Sequence, residues 1–201
     1  MNHFLNIAGY LLHPLIMPFL GTLLYFSITP RYLEPELMIS KLIAVLIITV
    51  LIPLIIFFLL KNLNLVSSIH LEAVKERKYP LMLQCLLFLL IIKMVFNPYD
   101  FAEMYYFFVG ILFSVMTALL LVFVKFKISL HQMAIAGVTM FLIALSVHFE
   151  INMLLGISFF IFGNGWIASS RLHTKSHTLI ELTIGFFIGV IPQFILLNFW
   201  L

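Results

Sequence analysis

Arg171, His177 and Glu181 have the types and spacing for chemistry on a phosphate ester, and Ser170 stands directly before the arginine. A guanidinium presents a planar fork of donors that matches phosphate oxygens. An imidazole can attack phosphorus. A carboxylate four residues further on lies on the same face once a helix has begun, where it can hold the ring in one tautomer. The run from Ser170 to Glu181 is the longest polar stretch in the C-terminal half and sits between two long apolar segments. That position predicts a membrane surface. His173 lies off this spacing and reads as a loop histidine.

The elements that must position these residues follow from composition. Hydrophobic residues make up 64% of the 201 residues and charged residues 9%. Such a chain cannot coat a soluble globule with polar groups. The expectation is a single all-α integral membrane domain over residues 1–201, a polytopic transmembrane helix bundle. The one cysteine, Cys85, lies in an apolar run and reads as a packing residue. The N-terminal apolar run lacks a basic leader region and a small-residue cleavage site, and reads as a retained first span.

A hydrocarbon core of roughly 30 Å takes about 20 apolar residues per helix. On that scale spans are expected near Phe4–Ser27, Leu37–Leu60, Pro80–Phe96, Met104–Val124, Leu130–His148, Ile151–Ala168 and Thr178–Leu201. Six crossings and seven are both compatible, because the stretch from Pro80 to Val124 can form a hairpin or be partly re-entrant. Pro14, Pro18, Pro53 and Pro192 fall inside spans and predict kinks. Gly163 and Gly165 flank Asn164, which predicts either a bend or close packing.

With seven crossings, three connections open on one face: Lys61–Tyr79, Lys125–Ser129 and Ser169–His177. They hold Lys61, Lys75, Arg77, Lys78, Lys125, Lys127, Arg171 and Lys175. The other face receives Arg31, with Lys41 just inside the next span, and Glu34, Glu36, Asp100, Glu103 and Glu150. A basic face reports topology by the positive-inside rule, which would make it cytoplasmic. It also suits an anionic substrate. Lys61, Lys125 and Lys127 read as interfacial anchors. Clean spans, with the polar groups gathered at one surface, argue against a transporter, which needs ionisable groups near the midplane.

Three segments on the basic face carry histidine or arginine: His70 with Arg77, Ser129 with His131, and the Arg171–Glu181 run. In this order they resemble the three signatures of the type 2 phosphatidic acid phosphatase superfamily, which also includes vanadium haloperoxidases. The third signature, Ser-Arg-x5-His-x3-Asp, is met by Ser170, Arg171, His177 and Glu181, with Glu for Asp. The second, Pro-Ser-Gly-His, reads Ile128-Ser129-Leu130-His131. The first, Lys-x6-Arg-Pro, has His70 in the lysine position, Arg77 in the arginine position and its proline delayed to Pro80. The resemblance covers residues 67–188.

The resemblance implies an active site built from three loops or helix ends on one membrane face. It makes His177 the nucleophile that forms a phosphohistidine, Glu181 the group that orients it, and His131 the general acid. Arg171, Arg77, Ser129 and His70 would bind the phosphoryl group, and no metal or other cofactor is required. The implied activity is that of a metal-independent lipid phosphatase acting on a phosphomonoester or diphosphate of a membrane lipid. It implies a multi-pass protein of the cell membrane whose partners are its lipid phosphate substrate and membrane lipids, with no nucleic acid. The alternative is a catalytically weakened member that binds anionic lipid or a membrane partner, because Leu130 lacks the close approach of glycine and His70 is mostly neutral near pH 7. Family members usually act on the extracytoplasmic side, whereas the basic count here places the site in the cytoplasm.

Overall fold

The computed structural model describes residues 2–66 and 73–201, and the described residues are helical with no strand. The helices are α1 (Asn2–Leu11), α2 (Met17–Ile28), α3 (Pro35–Leu46), α4 (Ile52–Asn62), α5 (Lys78–Met94), α6 (Ala102–Phe123), α7 (Leu130–His148), α8 (Leu154–His173) and α9 (Leu179–Leu196). A π-turn over Ile47–Leu51 joins α3 to α4, and 3-10 turns cover Val74–Arg77 and Leu197–Phe199. Among the described residues, four helical stretches are long and apolar enough to cross a membrane: Pro35–Asn62, Ala102–Phe123, Leu130–His148 and Leu179–Phe199.

Of the seven expected spans, Phe4–Ser27, Pro80–Phe96 and Ile151–Ala168 are not among these four; Pro80–Phe96 is α5, and the other two also differ in their bounds. The stretch expected as one span over Phe4–Ser27 is two helices, because the chain leaves helical geometry between Leu11 and Met17. Pro14 has no N–H, and its ring clashes with the carbonyl four residues back, so the helix ends there rather than kinking. The break brings His13 and α1 into contact with α7 and α8. The sixth expected span ends later than Ala168, since α8 continues to His173 and holds Ser170 and Arg171 in its last turns. The span expected at Leu130–His148 coincides with α7.

The other prolines are absorbed locally. Pro53 follows the π-turn, where the N–H of Ile52 reaches the carbonyl of Ile47, five residues back. Widening the helix there relieves the ring's clash with the preceding turn. Pro192 lies inside α9 and frees the carbonyl of Ile188. The Ser114 hydroxyl of α6 takes up that carbonyl at 2.8 Å, the kind of rescue a neighbouring helix provides in a bilayer.

Helix ends repeat one device. Asn64, Lys125, Glu150 and Lys175 each take a positive φ just past a helix. The next amide returns to a carbonyl five residues earlier, as in Phe126 to Leu121 and Ser176 to Arg171. This is the left-handed C-cap that satisfies orphan carbonyls, here without glycine.

The tightest seam joins α7 to α9. Gly185 and Gly189 are one helical turn apart and face Ser129, Met133 and Gly137, which follow the same spacing on α7. A Cβ on Gly185 would lie 2.8 Å from the Ser129 carbonyl, and one on Gly189 would collide with the Met133 carbonyl. Removing both side chains lets the backbones touch. Between α7 and α8, Asn164 accepts from Gln132 at 2.9 Å and donates to the Thr139 hydroxyl at 2.8 Å. Gly163 packs against Ile135. Of the bend and the close packing expected at Gly163–Gly165, close packing holds, since α8 runs through it. The aromatic core centres on Phe107 and Phe141, whose rings stack at 4.1 Å between centroids.

Candidate active site

The Ser170–Glu181 segment closes on itself. At the end of α8, Lys175 turns left-handed, and the Arg171 carbonyl accepts from the amides of Ser176 (3.1 Å) and His177 (3.3 Å). The arginine and the histidine are thus brought together by backbone bonds. Thr178 then caps α9. Its hydroxyl accepts from the Glu181 amide at 3.3 Å, and the Glu181 carboxylate accepts from the Thr178 amide at 3.1 Å. This reciprocal capping box fixes the carboxylate.

The same carboxylate oxygen lies 2.8 Å from His177 Nδ1. A carboxylate can only accept, so Nδ1 carries the proton and Nε2 keeps its lone pair. Burial pushes the His177 pKa down to about 4, Lys127 and Arg77 act in the same direction, and Glu181 opposes them. His177 is therefore neutral near pH 7.

His177 lines a cavity of about 150 Å³ together with Arg77, Lys127, His131, Arg171 and His13. The remaining walls are mostly apolar, from Pro18 on α2 through Phe57 on α4 and Phe88 on α5 to Val115 on α6. Arg77 is buried and donates to the Ile128 carbonyl at 2.6 Å, which ties the turn before α5 to the entry of α7. Burial lowers its pKa from the ordinary arginine value, and Glu181 opposes that shift. Lys127 Nζ donates to the Ser176 carbonyl at 2.8 Å.

Arg171 is 7% exposed, and its Nη2 donates to the Ser170 hydroxyl at 3.3 Å. Its buried Nε has no hydrogen-bond partner. A buried guanidinium N–H left unmatched is costly. Gly9 of α1 lies against this guanidinium, close enough that a Cβ would collide with it. The Gly9 carbonyl in turn meets His131 Nε2 at 3.1 Å, which places a proton on Nε2. His13 stands edge-on to His131 at 5.3 Å between ring centroids.

Of the residues expected from sequence, Arg77, His131, Arg171 and His177 share this cavity, and Glu181 supports His177 from behind it. Ser129 is not on its wall. It is fully buried, its hydroxyl accepts from the Gln132 amide at 3.3 Å as the cap of α7, and its amide donates to the Glu181 carbonyl at 3.2 Å. Ser129 therefore clamps α7 to α9 from the helix N-cap, where its oxygen accepts from the backbone. His70 lies outside the described residues. Sequence reasoning missed Gly9 and His13, for which no local signal exists. It also read Lys127 as an interfacial anchor, whereas the left-handed turn at Lys125 points the loop inward. The Gly185–Gly189 spacing was a legible packing signal.

Among the described residues, no group of three His, Cys, Asp or Glu side chains converges to hold a metal ion. Comparison with family models, curated proteins and solved structures finds no match for this chain.

Proposed function

We propose that this protein is an integral membrane lipid phosphatase that resembles the type 2 phosphatidic acid phosphatases, resides in the cell membrane with several crossings, and works through a phosphohistidine. The observation that carries the reading is the His177–Glu181 pair on a cavity shared with Arg77, Arg171 and His131. The buried Arg171 Nε, without a partner among the described residues, is a donor that an anion could use. The mostly apolar walls suit a substrate that arrives from the bilayer with its hydrocarbon attached.

In the proposed reaction, His177 Nε2 attacks phosphorus and the bond from phosphorus to the lipid oxygen breaks. His131 gives its Nε2 proton to the departing oxygen, which takes the place of the Gly9 carbonyl. The anionic substrate beside His131 favours its protonated form. Water then attacks the phosphohistidine, His131 takes a proton from that water, and inorganic phosphate leaves with His177 restored. Arg77 and Arg171 hold the phosphoryl oxygens as charge spreads over them.

The test is phosphate release by detergent-purified protein from a panel of lipid phosphates without added metal, with His177→Ala alongside. Release by the wild type alone supports the reading. Release by both proteins removes His177 as nucleophile. Absence of release from any lipid, with both proteins folded, points to the alternative of an anionic-lipid binder.

A further inference from the structure

We propose that Lys127 is a third cation of the phosphate site, contacting the bound phosphoryl group beside Arg77 and Arg171; this rests on the phosphatase reading above. The position falls outside every motif on which that reading was built, and geometry alone brings it in. The left-handed residue Lys125 and the return of the Phe126 amide to Leu121 turn the chain back immediately after α6. Ile128 is then buried with its carbonyl held by Arg77. Lys127, one residue earlier, reaches across to the Ser176 carbonyl, next to the nucleophile, and lines the same cavity as His177 and Arg171.

The charge count fits. Arg77, Lys127 and Arg171 supply three positive charges, Glu181 one negative, and His177 is neutral. This surplus of positive charge, to which a protonated His131 adds, suits a phosphoryl anion, which a mostly apolar cavity could not hold without cations. With Ser129 committed to capping α7, Lys127 is the group from the α6–α7 loop that stands on the wall. An ammonium carries three donors, so it can keep the Ser176 carbonyl and still meet a phosphate oxygen.

The experiment measures orthovanadate affinity and thermal melting for the wild type, Lys127→Met, Lys127→Gln, Lys127→Arg and Lys125→Met in detergent. Gln keeps a donor for the Ser176 carbonyl without the charge, so it carries the test should Met fail to fold. The expected result is that Met and Gln each weaken vanadate about tenfold. Arg should restore most of the affinity, and Lys125→Met should bind like the wild type. Wild-type affinity in Lys127→Gln would overturn the role of Lys127 and leave the phosphatase reading standing. A wild type that binds no vanadate would overturn both.

Discussion

Glu181 takes part in two arrangements at once, and that sets which substitutions are informative. Glu181 orients His177 and also closes the capping box of α9. Glutamine can still accept from the Thr178 amide, so Glu181→Gln keeps the cap while removing the charge. The expected outcome is a turnover rate lowered about ten- to a thousandfold with little change in substrate binding, checked by separating kcat from KM. His177→Ala is expected to lower phosphate release by at least about a thousandfold while the protein still folds and inserts. The pH profile follows from the depressed pKa of His177. A raised or ordinary value would protonate the nucleophile near pH 6.5. Held at about 4, the ring stays neutral as pH falls from 7, so the acid limb of kcat/KM should lie well below the usual histidine range. An acid limb near 6.5 would contradict the assignment.

At the scale of elements, the glycine seam sets how closely the segments that carry His177 and His131 approach. His177 precedes α9 and His131 opens α7, and those helices touch through Gly185 and Gly189. Gly189→Ala would drive a methyl group into the Met133 carbonyl, so the helices must part. Overpacking of this kind costs about 1–3 kcal/mol, and both the melting temperature and kcat should fall. The α1–α8 pair makes a subtler prediction. Trp166 holds the Phe4 carbonyl at 3.1 Å and stacks on the Phe4 ring, which fixes α1 beside Arg171. Gly9→Ala displaces the Arg171 guanidinium, and the expected effect is a raised KM of about tenfold with the melting temperature nearly unchanged.

The whole molecule has two polar ends with different jobs. Opposite the cavity, Glu103 is fully buried and pairs with Arg31 at 2.7 Å and His148 at 3.3 Å, with the Tyr25 hydroxyl at 3.3 Å. Lys41 closes the same end by donating to the Val95 carbonyl at 2.6 Å. These bonds link α2, α6 and α7 and the turns between them. Sequence reasoning placed Glu103 among loop acids, but the start of α6 is drawn into the bundle by Met104 and Phe107, both fully buried. Glu103→Gln is expected to destabilise the folded protein by about 1–3 kcal/mol without altering vanadate affinity, measured by melting in detergent. The two ends should separate cleanly in that comparison, since no residue of the Glu103 cluster lines the cavity.

Much of this was legible one residue at a time. Apolar content pointed to helices able to cross a membrane, because a bilayer admits only internally bonded backbone; four such stretches stand among the described residues, and α7 could be bounded from its apolar run. The Arg171–His177–Glu181 spacing could be read because all three lie within one turn and a helix start, where sequence distance and spatial distance agree. The break at Pro14 was visible as a proline, yet its consequence was not. Whether a proline kinks or ends a helix depends on what the freed chain can pack against, and here α8 and α7 offered Arg171 and His131. The reach of Lys127 to Ser176, the bond from the Ser129 amide to Glu181 and the approach of Gly9 to His131 likewise involve partners more than 40 residues away. Sequence determined which groups can do chemistry. Tertiary structure decided which of them face one another, because that depends on long-range packing that no local pattern encodes.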